Sequence, residues 1–230
     1  MMENIKILAF DADDTLWDCQ TFFDDAENFF CETLKNYGDY NFIKQKLFET
    51  ESGNMELLGY GAKAVCISMM ECALKISNYQ ISQQHLFNIL SKAKSLLKLP
   101  STPLPNVKET IQKLYENKKY KMVVFTKGDL LDQEQKLERS GLKNYFYKNI
   151  VVSNKSKKEF LELCSSLKIS PNQMVMIGNS FKSDILPIIE IGGYGIHIPF
   201  KTMWQHEYIE EFSHPNIIKI NNFSKILEHL

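Results

Sequence analysis

The chain has 230 residues, with 27 basic against 28 acidic side chains and a formal net charge of −1. This balance argues against a nucleic acid or an anionic membrane as partner, since either would select a basic face. The length allows one domain or two with a full core. The five cysteines (Cys19, Cys31, Cys66, Cys72 and Cys164) have no CxxC spacing. No apolar run is long enough to span a membrane, and Asp11 interrupts any secretory h-region, so a reduced, cytoplasmic protein is expected.

The first element is the apolar run Ile5-Lys6-Ile7-Leu8-Ala9-Phe10, which reads as a buried strand. Asp11-Ala12-Asp13-Asp14-Thr15-Leu16 follows it and puts three carboxylates into four residues. Like charges this close raise one another's pKa unless a cation neutralises them, and a hard divalent ion with oxygen ligands does so. Asp11 and Asp13, two apart, can aim at one point, where one attacks and the other manages protons. The competing reading is an acidic turn in which Asp13 or Asp14 caps a helix.

Beyond Leu16 the spacing turns helical. Phe22, Phe23, Ala26, Phe29, Phe30 and Leu34 predict an amphipathic helix ending near Tyr37-Gly38. A second helix is expected over about Phe42 to Glu51, broken by Gly53, Gly59 and Gly61. A third carries Val65, Met69, Cys72, Ala73 and Ile76, and a fourth opens on Ser82 as N-cap. Residues 17–102 thus hold only helices and read as one inserted bundle, closed by Pro100, Pro103 and Pro105.

From Val107 helix and strand alternate. Strands are expected at 121–125, 150–152, 174–177, 194–198 and about 217–220, with helices near 107–114, 129–140, 157–168 and 185–190. Short apolar strands alternating with helices predict an α/β fold, a Rossmann-like parallel sheet covered on both faces. The domain division is therefore 1–16 with 103–230 as the core and 17–102 as the helical insert.

In such sheets ligands bind outside the carboxyl ends of the strands. Asp11 and Asp13 end the first strand, Thr126 the second, Lys155 the third, and Asn179 the fourth with Asp184 following. Singly, each has an ordinary explanation as a turn, cap or solvated residue. Jointly, a hydroxyl, a lysine and several oxygen ligands at successive strand ends make coincidence a poor account.

These residues resemble the four motifs of the haloacid dehalogenase (HAD) superfamily, whose members are mostly phosphatases. Asp11-Ala12-Asp13-Asp14-Thr15 is similar to its DxDxT motif, Thr126 to the Ser/Thr of the second, and Lys155 to the Lys of the third. Gly178-Asn179-Ser180-Phe181-Lys182-Ser183-Asp184 is similar to the fourth, usually GDxxxxD. Asn179 stands where an Asp is common, which leaves Asp184 as the main carboxylate of that motif. The helical insert matches the cap called C1 in position and content. The true dehalogenases lack the second Asp, so Asp13 points to phosphoryl transfer.

The resemblance implies a magnesium ion held by the Asp11 carboxylate, the Asp13 backbone carbonyl and Asp184, with Asn179 beside them. It also implies hydrolysis of a small phosphorylated metabolite. Asp11 would attack phosphorus and form an aspartyl phosphate. Asp13 would protonate the leaving alkoxide and then deprotonate water. Mg²⁺, Lys155, the Thr126 hydroxyl and backbone N–H groups near Ala12, Asp13 and Lys127 would neutralise the phosphoryl oxygens. Asp14 is expected to serve the turn.

Substrate choice is expected to lie in the insert. There Tyr60 offers a ring and hydroxyl between Gly59 and Gly61, and Lys63 offers a charge; the competing reading is an ordinary interhelix turn. The rival functions are a phosphomutase or 2-haloacid dehalogenase on the same fold, or a receiver-like phospho-accepting domain. Receivers carry their acceptor on a middle strand and lack a large helical insert. The five histidines have no zinc spacing. The polar and aromatic stretch Lys201-Thr202-Met203-Trp204-Gln205-His206-Glu207 has no assigned role.

Overall fold

In the computed structural model residues 4–230 are described. The start of the core assigned from sequence, residues 1–3, lies outside the described residues. The elements run β1 (Ile7–Phe10), α1 (Gln20–Thr33), α2 (Tyr40–Leu58), α3 (Ala62–Ile76), α4 (Gln83–Ser95), α5 (Val107–Asn117), β2 (Lys121–Lys127), α6 (Leu130–Arg139), β3 (Lys148–Val152), α7 (Lys157–Leu167), β4 (Met174–Gly178), α8 (Leu186–Glu190), β5 (Tyr194–His197) and β6 (Ile217–Lys219). The chain forms two compact units. One runs to Gln20 and resumes over Pro100–Leu230; the other is Thr21–Leu99.

In the first unit the strands form one sheet in the order β3-β2-β1-β4-β5-β6. Every pairing is parallel. The side chains of β1 alternate as the strand period of two requires. Leu8 and Phe10 enter a core with Val107, Ile111 and Leu114 of α5 and Leu137 of α6. Ile7 and Ala9 enter another with Phe160 and Leu163 of α7 and Ile188 of α8. Apolar residues thus point both ways, which is why the strands read as unbroken hydrophobic runs.

The strand β1 lies between β2 and β4, and the order reverses there. Phe10 is level with Val124 on one side and Ile177 on the other. This is the topological switch point, where the strand ends open a crevice.

The helical unit departs from expectation at the ends of two helices: α1 stops at Thr33, whereas an end near Tyr37-Gly38 was expected. The helix α2 runs through Gly53 to Leu58, whereas a break at Gly53 was expected after about Glu51. A glycine inside a helix costs roughly 0.5–1 kcal/mol relative to alanine. Here the Asp39 side chain caps α2 by accepting from Phe42 N, and Ile43 and Leu47 are buried along it. The true stop is Gly59, at φ +69°, and Gly61 follows at φ +114°, conformations that an L side chain rarely adopts. The fourth helix opens on Ser82 as expected, its Oγ accepting from His85 N.

In the α/β unit, helical structure after β4 begins earlier than expected, with a π-helical turn over Phe181–Ile185 that leads into α8. All five cysteines are free thiols. Among the described residues no helix is long and apolar enough to cross a membrane.

Candidate functional site

The sharp turn after β1 is built by its own residues. Asp14 adopts φ +62°, and its Oδ1 accepts from Cys19 N and Gln20 N, both at 2.8 Å, so it caps the entry to α1. Burial pushes its carboxyl up to about 7. Asp14 therefore serves the turn. The loop is closed by Asp14 N donating to Trp17 O at 2.7 Å, with the Trp17 ring fully buried beneath it.

Asp11 lies at the carboxyl end of β1, tied to β4 by its N–H donating to Ile177 O at 2.9 Å. Lys155, after β3, reaches across to it and donates to Asp11 Oδ1. The same ammonium donates to Asp184 Oδ1 at 2.6 Å, and all three residues are buried. Burial and then the Asp184 charge push the Asp11 carboxyl up to about 7, against the pull of Lys155. Burial likewise raises Asp184. For Lys155 burial acts downward, but the two carboxylates outweigh it and hold the pKa above the ordinary lysine value.

Asp184 fits where it does because Gly178 has no side chain. A Cβ at Gly178 would lie 2.2 Å from Asp184 Oδ2. That oxygen accepts from Ser180 N at 3.0 Å. Asn179 packs on the other side of Asp11. With the amide nitrogen turned toward the surrounding acceptors, it donates to Thr15 Oγ1 at 3.0 Å and to Asp11 Oδ2 and the Asp13 carbonyl, both at 3.2 Å. The buried His197 of β5 places Nε2 3.0 Å from the Asn179 carbonyl, and burial lowers its pKa.

The Asp13 side chain belongs to a second network. Its Oδ1 accepts from Trp17 Nε1 at 2.8 Å, and its Oδ2 from Gln133 Nε2 at 2.8 Å and Lys136 Nζ at 2.9 Å. Burial favours the neutral acid, but Lys136 and these hydrogen bonds outweigh it and hold the carboxyl below its ordinary value. Lys136 also pairs with Asp132 at 3.2 Å. The sequence pattern gives a charged helix over about 129–140 and does not single out Gln133 or Lys136. The available signal was the spacing Asp132, Gln133, Lys136, Leu137, which lines one buried face of α6.

Thr126 and Lys127 end β2. Thr126 is buried, with its hydroxyl donating to Lys127 O at a long 3.4 Å. The Lys127 ammonium pairs with Glu207 and donates to Ser183 Oγ at 2.9 Å. Burial acts to raise the Glu207 carboxyl, but Lys127 and the hydroxyls of Ser180 and Ser183 bring it down to about 2. Glu207 lies in the stretch to which the sequence assigned no role, and it joins β2 to β4 only through the fold.

The structure thus brings Asp11, the Asp13 carbonyl, Lys155, Asn179 and Asp184 together, with Ala12 fully buried in the turn between them. Thr126 and Lys127 stand at the neighbouring strand end. Tyr60 and Lys63 belong to the other unit: Tyr60 is half-buried in the α2–α3 turn and Lys63 is exposed in the first turn of α3.

The donors near Asp11 fit a hard cation. They are two carboxylates and a backbone carbonyl, with no sulfur or imidazole among them, and the Asn179 amide nitrogen donates to two of the same oxygens. One ammonium between two carboxylates leaves a negative charge for a cation to offset. Among the described residues no group of three or more His, Cys, Asp or Glu side chains could hold a metal. A pair of carboxylates suits magnesium, which keeps several waters.

The parallel sheet gathers acidic and lysine side chains at its switch point, the place where ligands of such sheets bind. The model of the haloacid dehalogenase-like hydrolases matches residues 5–192, and the chain belongs to that family. A haloacid dehalogenase-like family hydrolase from Xanthomonas campestris is 32% identical, with a TM-score of 0.87 over 96% of this chain and 88% of that one. A putative HAD-family hydrolase from Bacillus subtilis, described as bound to magnesium, is 18% identical, with a TM-score of 0.69 over 99% of each chain. A 2-haloacid dehalogenase from Pseudomonas syringae is 19% identical, with a TM-score of 0.64 over 97% of each chain. No curated protein matches the chain.

Proposed function

We propose that the protein is a Mg²⁺-dependent phosphatase acting on a small phosphomonoester. The observation that carries this reading is a second carboxylate, Asp13, two residues beyond the buried Asp11–Lys155 pair. Loss of an alkoxide needs a proton donor, whereas loss of a halide does not. Dehalogenases and other hydrolases share this fold, so the choice rests on side chains rather than on architecture.

On this reading Asp11 Oδ attacks phosphorus and forms the new P–O bond while the P–O bond to the leaving group breaks. Lys155, fixed by Asp11 and Asp184, offsets charge on the transferred group. Asp11, the Asp13 carbonyl and Asp184, with Asn179 beside them, would hold Mg²⁺, which supplies charge neutralisation at the phosphoryl oxygens. A relative of the same fold is described as bound to magnesium, and this supports the assignment. Asp13, held ionised by Lys136, is in the form that takes a proton from water in the second half-reaction. Its donation to the leaving oxygen in the first half requires that pairing to relax. The helical unit is read as the cap that selects the ester and excludes water during turnover.

The test compares phosphate release from a panel of phosphorylated metabolites with halide release from 2-haloacids, with magnesium and after chelation. Phosphate release restored by magnesium is expected, with a loss of about 10²–10⁴-fold in Asp13→Ala. Halide release without phosphate release would reverse the assignment.

A further inference from the structure

Asp184 is held from two directions. Lys155 takes Oδ1, and the Ser180 N–H takes Oδ2 at 3.0 Å. The turn that carries Ser180 is itself set by side chains. The Ser180 hydroxyl donates to Glu207 Oε2 and accepts from Ser183 N at 2.9 Å. The Ser183 hydroxyl donates to the same Oε2 at 2.5 Å and accepts from Lys127 Nζ at 2.9 Å. The other Glu207 oxygen takes the Lys127 ammonium. One carboxylate, arriving from the segment after β5, therefore closes a ring through the end of β2 and the turn after β4. The Lys127 and Glu207 side chains are only 13% and 14% exposed. The same segment is tied to the turn again where Lys182 Nζ donates to the His206 carbonyl at 2.7 Å.

We infer that Glu207 is a positioning residue for the cation site. By accepting from both serines it fixes the turn that presents Asp184. By taking the Lys127 ammonium, which also donates to Ser183 Oγ, it ties the same turn to the end of β2. This inference rests on the reading of Asp184 as a metal-binding carboxylate. Carboxylates that ligate metals are in turn hydrogen-bonded, and loss of such outer partners typically costs 10–100-fold in metal affinity.

The test is calorimetric titration of Mg²⁺ into the wild-type chain and into Glu207→Gln, Glu207→Ala and Asp184→Asn, with Tm measured for each. Glu207→Ala is expected to weaken Mg²⁺ binding by about 10-fold or more. Glu207→Gln is near-isosteric and keeps an acceptor for the serines; it folds even where the alanine variant does not, and it should lose less affinity. If Glu207→Ala, or Glu207→Gln where alanine fails to fold, binds Mg²⁺ within twofold of wild type while Asp184→Asn loses binding, Glu207 only anchors its loop. The inference is then overturned and the phosphatase reading stands. If Asp184→Asn binds Mg²⁺ like wild type, the metal assignment itself falls, and this inference falls with it.

Discussion

In the helical unit, charged residues pair along exposed helix faces: Lys75 with Glu71 one turn back, Lys46 with Glu49, and Lys92 with Asp25. In the α/β unit, the pairs at the strand ends are sealed in, while Lys143–Glu138 and Lys158–Glu162 stay at the surface. The Lys155 and Asp184 side chains are each 1% exposed, against 61% and 35% for Lys75 and Glu71. Exposed pairs are screened and lose side-chain entropy when they form, so they contribute little. A buried group without its partner keeps the whole desolvation penalty. The helical pairs therefore sit at a surface, while the Asp11–Lys155–Asp184 group is held away from solvent.

The sharpest break of that contrast is at Asp11. Asp11→Asn should fold normally and lose on the order of 10⁴-fold or more in phosphate release, the scale of a missing nucleophile. A folded variant with near wild-type turnover would remove Asp11 from the chemistry. Next is Lys155→Met, which leaves two buried carboxylates without their cation. A loss of about 3–5 kcal/mol is expected in denaturant unfolding, whereas Lys75→Met should not shift Tm measurably. Equal effects at the two lysines would erase the distinction between the units.

Glu207 sharpens the comparison through pH. Its folded-state pKa of about 2 lies below the ordinary 4.5. The stabilisation this gives is complete above pH 4.5 and is lost as pH falls toward 2. At full strength it is about 3 kcal/mol. Stability of wild type and Glu207→Gln, followed by urea unfolding, should differ most above pH 4.5 and converge on acidification. A constant gap would mean that Glu207 is not ionised in this way.

The smallest effects are expected in the helical unit. Tyr60→Ala and Lys63→Ala should change preference among phosphate esters by a few-fold, and less on a generic aryl phosphate. A uniform change over all substrates would make Gly59–Ala62 only the turn between α2 and α3.

The strand ends were legible in the sequence because a parallel strand is an apolar run and its end is the first polar residue. Asp11, Thr126 and Asn179 were reached that way, and Lys155 two residues beyond Ser153, the first polar residue after β3. The Asp14 turn was legible because aspartate tolerates a left-handed backbone. Lys136 and Gln133 were not, since periodicity counts apolar side chains as buried and treats a charged stripe as solvated. Glu207 lies 80 residues beyond Lys127, and only the folded order of β2, β4 and β5 brings them together. The continuation of α2 through Gly53 was hidden for a different reason. Local propensity disfavoured it, and beyond Gly53 the helix is held by Asn54, whose amide donates to Ser68 Oγ at 3.1 Å and to Glu71 Oε2 at 2.7 Å on α3.

The point where the chain leaves the sheet and returns has a consequence for folding order. Leu104 N donates to Leu16 O at 2.9 Å, and Trp17 bridges to Pro103, so the two connections run side by side. The helical unit is thus one large loop with its ends pinned together. The pairing of β1 with β2, Ile7 against Lys121, spans that whole loop. Closing it as unstructured chain carries an entropy cost that grows with the logarithm of its length. The contacts of α2 with α3 and of α3 with α4 join neighbours in sequence and form quickly. Early folding of the helices shortens the effective distance between β1 and β2. The insert is then an aid to closing the sheet around its own central strand.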